Sequence, residues 1–222
     1  MKAAPGTRRV LVWDLPVRLF HWLLAPLVLV LWVTERWNRM GWHVLAGEVL
    51  LGLVLFRLFW GFVGSETARF ARFLATPAAA WRHLRRSFAR EPDHAVGHNP
   101  AGGWMVALLL LLLLAECLSG VFVNNDVADQ GPFTDHTPAW FMNLVTDLHA
   151  ILFQAIVAAV GLHLAAIAVY AAAKGQNLLR PMVTGWKQLP ATRRPPQIAG
   201  VRRALLLAVL AAALAAGWSW FS

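Results

Sequence analysis

Residues 143–172 read NLVTDLHAILFQAIVAAVGLHLAAIAVYAA. The stretch is apolar and longer than the about 20 residues that carry a helix across a bilayer. It holds His149 and His163, fourteen residues apart. At about 100° per residue, fourteen steps return to within about 40° of the starting direction; at about 1.5 Å per residue the two imidazoles stand about 21 Å apart along the axis. One face of one helix therefore presents a histidine towards each side of a membrane. Histidine at such depth normally faces a bundle interior, paired or liganded. The spacing suits two stacked cofactors that each draw one ligand from this helix. It suits equally two core histidines hydrogen-bonded to neighbouring helices, so partners elsewhere in the chain must decide.

The surrounding composition is that of a membrane protein. Of 222 residues, 59% are hydrophobic and only 14% charged. Internal repeats and low-complexity tracts are absent from the sequence. A single cysteine, Cys117, excludes an internal disulfide, a thiol redox pair and any cysteine-rich metal or iron–sulfur site. The net charge of +9 is no signal for nucleic acid, because the basic residues cluster beside apolar segments and read as topology signals. Trp37, Trp42, Trp104, Trp140, Trp186, Trp218 and Trp220 flank apolar runs, as an interfacial belt does.

Read in order, the chain predicts five membrane helices. After a short basic segment (1–15), Asp14 and Pro16 mark a helix start, and a first helix covers about 16–34 with His21 one turn in. No cleavage site follows it, so it reads as an uncleaved anchor. The second covers about 42–63, opens with His43 and contains Glu48 and Arg57. A long basic connection follows, within which ATPAAAWRHLRRSF (75–88) suits an amphipathic interfacial helix. The third covers about 104–123 and includes Glu116; the loop after it carries Asp126, Asp129 and Asp135 but no Lys or Arg. The fourth is 143–172. A basic linker then leads to a last apolar run at 204–221, either a fifth span or a re-entrant or interfacial segment. Most of the 20 basic residues fall before the first helix and in the second–third and fourth–fifth connections. The positive-inside rule then puts the N-terminus in the cytoplasm and the C-terminus, after five spans, outside.

This orientation sorts the histidines by depth. His21 and His163 fall towards the cytoplasm, His43 and His149 towards the periplasm. Two matched levels, each with two imidazoles, suit two six-coordinate, low-spin haems held by His21 with His163 and by His43 with His149. Such sites lack an open position and move electrons. The other histidines, His83, His94, His98 and His136, lie in connections, where solvation is the default. His98 stands out because it opens HNPAGGW at the entry to the third helix, within reach of a haem propionate.

At this point five features together resemble the bacterial cytochrome b561 family: VWDLPVRLFHW (12–22), FRLFWGFVGSETARFARFL (56–74), HNPAGG (98–103), the two histidines of the fourth helix, and PMVTGWK (181–187). That family includes the cytochrome b subunit of nickel–iron hydrogenases and cytochromes b paired with dihaem cytochromes c. The similarity covers about residues 10–187. It implies a four-helix transmembrane bundle (1–187) holding two b haems, with axial ligands falling on His21, His43, His149 and His163. It also implies electron exchange between membrane quinone and a periplasmic redox partner in the inner-membrane respiratory chain. The basic linker and fifth helix (188–222) are an addition to the four-helix members, and favour a partner of the c-type cytochrome kind over a hydrogenase.

Several side chains keep two readings. Arg18 and Arg57 suit the propionates of the inner haem, or simply snorkel to the interface. The acidic loop could dock a basic cytochrome, or is merely solvated. Glu48 and Glu116, carboxyls inside apolar runs, suit a proton relay linked to quinol oxidation or quinone reduction, or are neutral acids hydrogen-bonded within the bundle. The expected function is a dihaem b-type electron-transfer subunit, and its catalytic standing as an enzyme is left open. The alternatives are a cytochrome b anchor of a hydrogenase-like oxidoreductase complex and, from another class, a proton or solute carrier. A carrier commonly shows repeated halves and broken helices, which this sequence lacks.

Overall fold

The computed structural model describes residues 6–86, 95–123 and 137–217. The acidic loop with Asp126, Asp129 and Asp135 lies outside the described residues, as do His94 and His136. Among the described residues the fold is mostly helical: β1 (Thr7–Leu11), α1 (Leu15–Arg36), α2 (Met40–Val63), a 3-10 turn (Glu66–Ala68), α3 (Phe70–Phe73), α4 (Pro77–Arg85), α5 (Pro100–Gly120), α6 (Ala139–Lys174), α7 (Leu179–Thr184), β2 (Trp186–Pro190) and α8 (Val201–Ala216). Four of them, α1, α2, α5 and α6, are long and apolar enough to cross a membrane. Their exposed side chains include Leu19, Leu29, Val49, Leu111, Ile151 and Leu162. In water such a surface would be a liability; against lipid tails it costs nothing, since the helices satisfy their own backbone groups.

The helices begin and end where local chemistry dictates. Asp14 caps α1: its Oδ1 accepts the Val17 amide at 2.8 Å, and Pro16, which has no N–H to lose, sits in the first turn. α1 ends at Arg36, and two residues on, Asn38 turns the chain with a φ of 51°, the left-handed value that asparagine tolerates. The turn into α2 is closed by Arg39 N–H donating to the Thr34 carbonyl at 2.8 Å. Thr76 caps α4 through the Ala79 amide, and Pro77 occupies its first turn. This nine-residue α4, with Trp81 and Leu84 exposed and Arg82 and Arg85 beside them, falls within the stretch expected to form an interfacial helix.

The chain clusters into two compact units, each built from separated stretches. One comprises Met1–Leu19, Phe59–Ala107 and Val160–Ala204. Its framework is an antiparallel pair in which β1 meets β2, from Thr7 opposite Pro190 to Leu11 opposite Trp186. Val10, Val12, Trp60, Ala68, Phe73 and Leu189 form its buried core. Two buried polar pairs lie there: the Trp60 indole donates to Asp14 Oδ2 at 2.9 Å, and the Thr67 hydroxyl donates to the Val12 carbonyl at 2.7 Å. Gly185, at φ 85°, accepts from the amides of Val12 and Trp13 through its own carbonyl; a Cβ there would lie 2.8 Å from the Trp13 oxygen. The stretch after β2 runs along the 3-10 turn. Glu66 N–H donates to the Gln197 carbonyl, Gln197 N–H donates to Glu66 Oε2, and Ala199 N–H donates to Ser65 Oγ. The Gln197 amide, opposed in part by burial and aided by Arg72, holds the Glu66 carboxyl below its ordinary value.

The other unit comprises Phe20–Leu58, Leu108–Ala159 and Leu205–Ser222. Its core is Leu50, Leu51, Val54, Leu110, Leu113 and Ile156, with Ala211 and Ala215 from α8. α8 lies against α2 at Gly52, where a Cβ would stand 3.6 Å from the Cβ of Ala215. The last apolar run is thus helical from Val201 to Ala216, about 24 Å at 1.5 Å per residue. Residues 218–222 lie outside the described residues.

Candidate functional site

His43 and His149 both belong to the second unit. Each ring is held through Nδ1. In His43, on the first turn of α2, Nδ1 lies 3.0 Å from the Leu31 carbonyl of α1 and 3.4 Å from Thr34 Oγ1. In His149, on α6, it lies 3.2 Å from the Glu116 carbonyl of α5 and 2.9 Å from Ser119 Oγ. A carbonyl only accepts, so each Nδ1 carries the proton and donates. A neutral imidazole of that tautomer keeps its lone pair on Nε2, the form in which histidine binds a metal. Gly120 leaves the His149 ring its space: a Cβ there would come within 3.1 Å of Cε1. The Glu116 carboxyl approaches Nε2 at 3.4 Å, so a metal on that nitrogen requires the carboxyl to turn aside.

Among the described residues no group of three or more His, Cys, Asp or Glu side chains could hold a bare metal ion.

The remaining candidates fall as follows. His21 is half-buried in the second unit, its ring 5.0 Å from that of Trp22 and edge-on to it. His163 is half-buried in the first. His98, also in the first unit, is flanked by aromatic rings, 4.5 Å from Trp13 and 4.6 Å from Phe73. Arg18 donates through Nη1 to the Val183 carbonyl at 2.7 Å, tying the first turn of α1 to α7. Arg57 is buried on α2 at 2% exposure, an environment that demands acceptors for a guanidinium. Glu48 is half-buried on the same helix. A cavity of about 420 Å³ lies between the end of α6 and the chain that follows, lined by Leu164, Ile167, Ala168, Ala171, Asn177 and Leu178 among others. No histidine lines it, so it is not the site of the imidazoles.

Sequence reasoning missed three things. The hydroxyls of Thr34 and Ser119 belong to other helices than the rings they touch. The β1–β2 pair joins five-residue strands from opposite ends of the chain. The contact of His83 Nε2 with the Tyr170 hydroxyl, 2.6 Å, links α4 to α6. Only the last had a signal, since Tyr170 is the sole tyrosine of the sequence.

Four histidine-bearing or apolar helices of spanning length fit a class that the family comparison supports, the integral membrane b-type cytochromes. The chain belongs within it to the prokaryotic cytochrome b561 family, whose model matches residues 12–185. Relatives are named "probable Ni/Fe-hydrogenase B-type cytochrome subunit". That of Azotobacter chroococcum is 27% identical, over 80% of this chain and 88% of its own length. That of Rhodobacter capsulatus is 26% identical, over 79% and 80%. That of Bradyrhizobium diazoefficiens is 33% identical, over 44% and 50%. No solved structure matches the chain at a significant level.

Proposed function

We propose that this b-type cytochrome is a dihaem electron-transfer subunit of the bacterial inner membrane, exchanging electrons between the quinone pool and a redox partner outside the membrane. The observation that supports the reading is the paired Nδ1 clamp on His43 and His149, which keeps the proton off both Nε2 atoms; that of His149 would accept iron once the Glu116 carboxyl, 3.4 Å away, turned aside. The second pair, His21 with His163, rests on the sequence pattern alone. When bound, each haem supplies a one-electron couple. The chain's own residues do the rest. His43 and His149 would hold the iron; apolar helix faces would keep water away and the dielectric low; Arg18, Arg57 and His98 are the candidates for the propionates. Glu48 and Glu116 are the candidates for proton uptake or release beside the quinone reaction. The N-terminus is cytoplasmic and the last apolar run of the sequence serves as a fifth span with the C-terminus outside, as the charge distribution favours.

The partner has two readings. The acidic loop favours a basic c-type cytochrome. The names of the relatives favour a nickel–iron hydrogenase, with this chain as its membrane subunit. Haem reduction by hydrogen in native membranes supports the second; reoxidation by a c-type cytochrome without response to hydrogen supports the first.

The deciding test is a reduced-minus-oxidised spectrum of the purified chain with haem counted per polypeptide. Two low-spin b haems are expected, and substitution of His43 or His149 by alanine abolishes one and the same haem. A chain without haem overturns the reading.

A further inference from the structure

His43 and His149 sit on different helices, yet the same two-part device meets each of them. On α1 it is the Leu31 carbonyl with the Thr34 hydroxyl; on α5 it is the Glu116 carbonyl with the Ser119 hydroxyl. Each is a carbonyl followed three residues later by a hydroxyl, within the last two turns of its helix. In each the hydroxyl is turned back on the helix: Thr34 donates to the carbonyls of Leu31 and Val30 at 3.0 and 2.8 Å, and Ser119 donates to that of Glu116 at 2.9 Å. A hydroxyl has one hydrogen. With that hydrogen spent on a carbonyl, the oxygen faces the imidazole as an acceptor, so Nδ1–H is shared between a carbonyl and a hydroxyl oxygen in both rings.

We infer that Thr34 and Ser119 are positioning residues for one haem site, jointly fixing the tautomer, orientation and donor strength of its two axial imidazoles. The inference rests on the haem reading above. Acceptors on Nδ1–H draw the proton outward and make Nε2 a stronger donor, which favours the oxidised iron. Two such clamps on the ligands of one iron act in the same direction. Neither residue contacts the iron; each acts through the ring it touches.

The test uses the full chain, purified with its haem, in optical redox titrations of the wild type and of Thr34→Val, Ser119→Ala and the hydroxyl-retaining Thr34→Ser and Ser119→Thr. Each hydroxyl-free variant should raise the midpoint of the same haem, increasing its ferrous-to-ferric ratio at fixed potential about threefold to tenfold, which is about 28 to 59 mV for one electron. The other haem should not move, and the hydroxyl-retaining variants should titrate as wild type. The low-spin electron paramagnetic resonance signal of the affected haem should shift with them. If Ser119→Ala loses a haem that Ser119→Thr keeps, the hydroxyl is again the cause. The inference is overturned if both serine variants lose it, if both hydroxyl-free variants titrate as wild type, if the midpoint falls, or if the two variants move different haems. A wild type without haem overturns the underlying reading instead.

Discussion

Replacing Asp14 by alanine should destabilise the protein by about 2–4 kcal/mol, although the residue lies outside the histidine site. Asp14 is 2% exposed and uses its two carboxylate oxygens on two different elements. Oδ1 caps α1 through the Val17 amide, and loss of an N-cap costs about 1 kcal/mol. Oδ2 accepts the indole N–H of Trp60, which is wholly buried, so removing the acceptor strands a donor out of reach of solvent, at about 1–3 kcal/mol. Asparagine separates the two parts: its oxygen can keep the cap, while its amide faces the indole as a second donor. Asp14→Asn should therefore lose most of the second part and little of the first. Denaturant unfolding of the purified chain in detergent, followed by tryptophan fluorescence, measures the differences. A double-mutant cycle with Trp60→Phe should give a coupling of at least about 1 kcal/mol, since the residues touch. If Asp14→Ala lies within about 0.5 kcal/mol of wild type, or the cycle shows no coupling, the bond between α1 and α2 has been misjudged.

Gly185→Ala should cost about 1–3 kcal/mol in the same assay, because alanine must adopt φ 85° and its Cβ meets the Trp13 carbonyl oxygen; an unchanged midpoint would refute this. Gly52→Cys with Ala215→Cys, in a Cys117→Ser background, should form a disulfide, since 3.6 Å between the Cβ positions lies within the bonding range. Thiols that stay fully alkylatable after oxidation would show that α8 does not lie against α2. The Glu66 carboxyl is held below its ordinary value of 4.5 by the Gln197 amide, so its contribution is complete above that value and lost as pH falls through the lowered one. Proteolysis at 190–199 should therefore accelerate on acidification in the wild type, and less steeply in Glu66→Gln; equal pH profiles count against the tether. Glu48→Gln or Glu116→Gln should change the pH profile of quinol-driven haem reduction if either carries protons; if both keep the wild-type profile, the relay is excluded.

What could be read from the sequence follows the range of the forces involved. The four long helices announce themselves because burial in lipid needs an uninterrupted apolar run, and their ends shift by only a few residues between expectation and structure. Asp14 was legible as a cap because the signal is local, three residues from the amide it serves. Its bond to Trp60 was not, since nothing in either neighbourhood names the other. The glycines of FRLFWGFVGSETARF become intelligible only in three dimensions: a Cβ on Gly61 would run into the Phe70 ring, and one on Gly64 into Trp60. Arg18 suits by sequence either a propionate or a snorkelling position, and the structure gives one of its nitrogens to the Val183 carbonyl, far along the chain. Depth along a helix sorted the histidines into levels; the groups that orient two of the rings come from neighbouring helices and carry no periodic mark.

The pairing of β1 with β2 constrains how the chain is threaded. Residues 7–11 and 186–190 form one ladder, so they lie in the same aqueous compartment. The polypeptide between them must therefore pass through the bilayer an even number of times. Four intervening helices of spanning length meet that condition, and three or five would not. This parity holds whichever side the sheet faces and owes nothing to where the arginines fall. A variant that turned one spanning helix into a surface helix would lose a crossing and, with it, the sheet that closes the first unit.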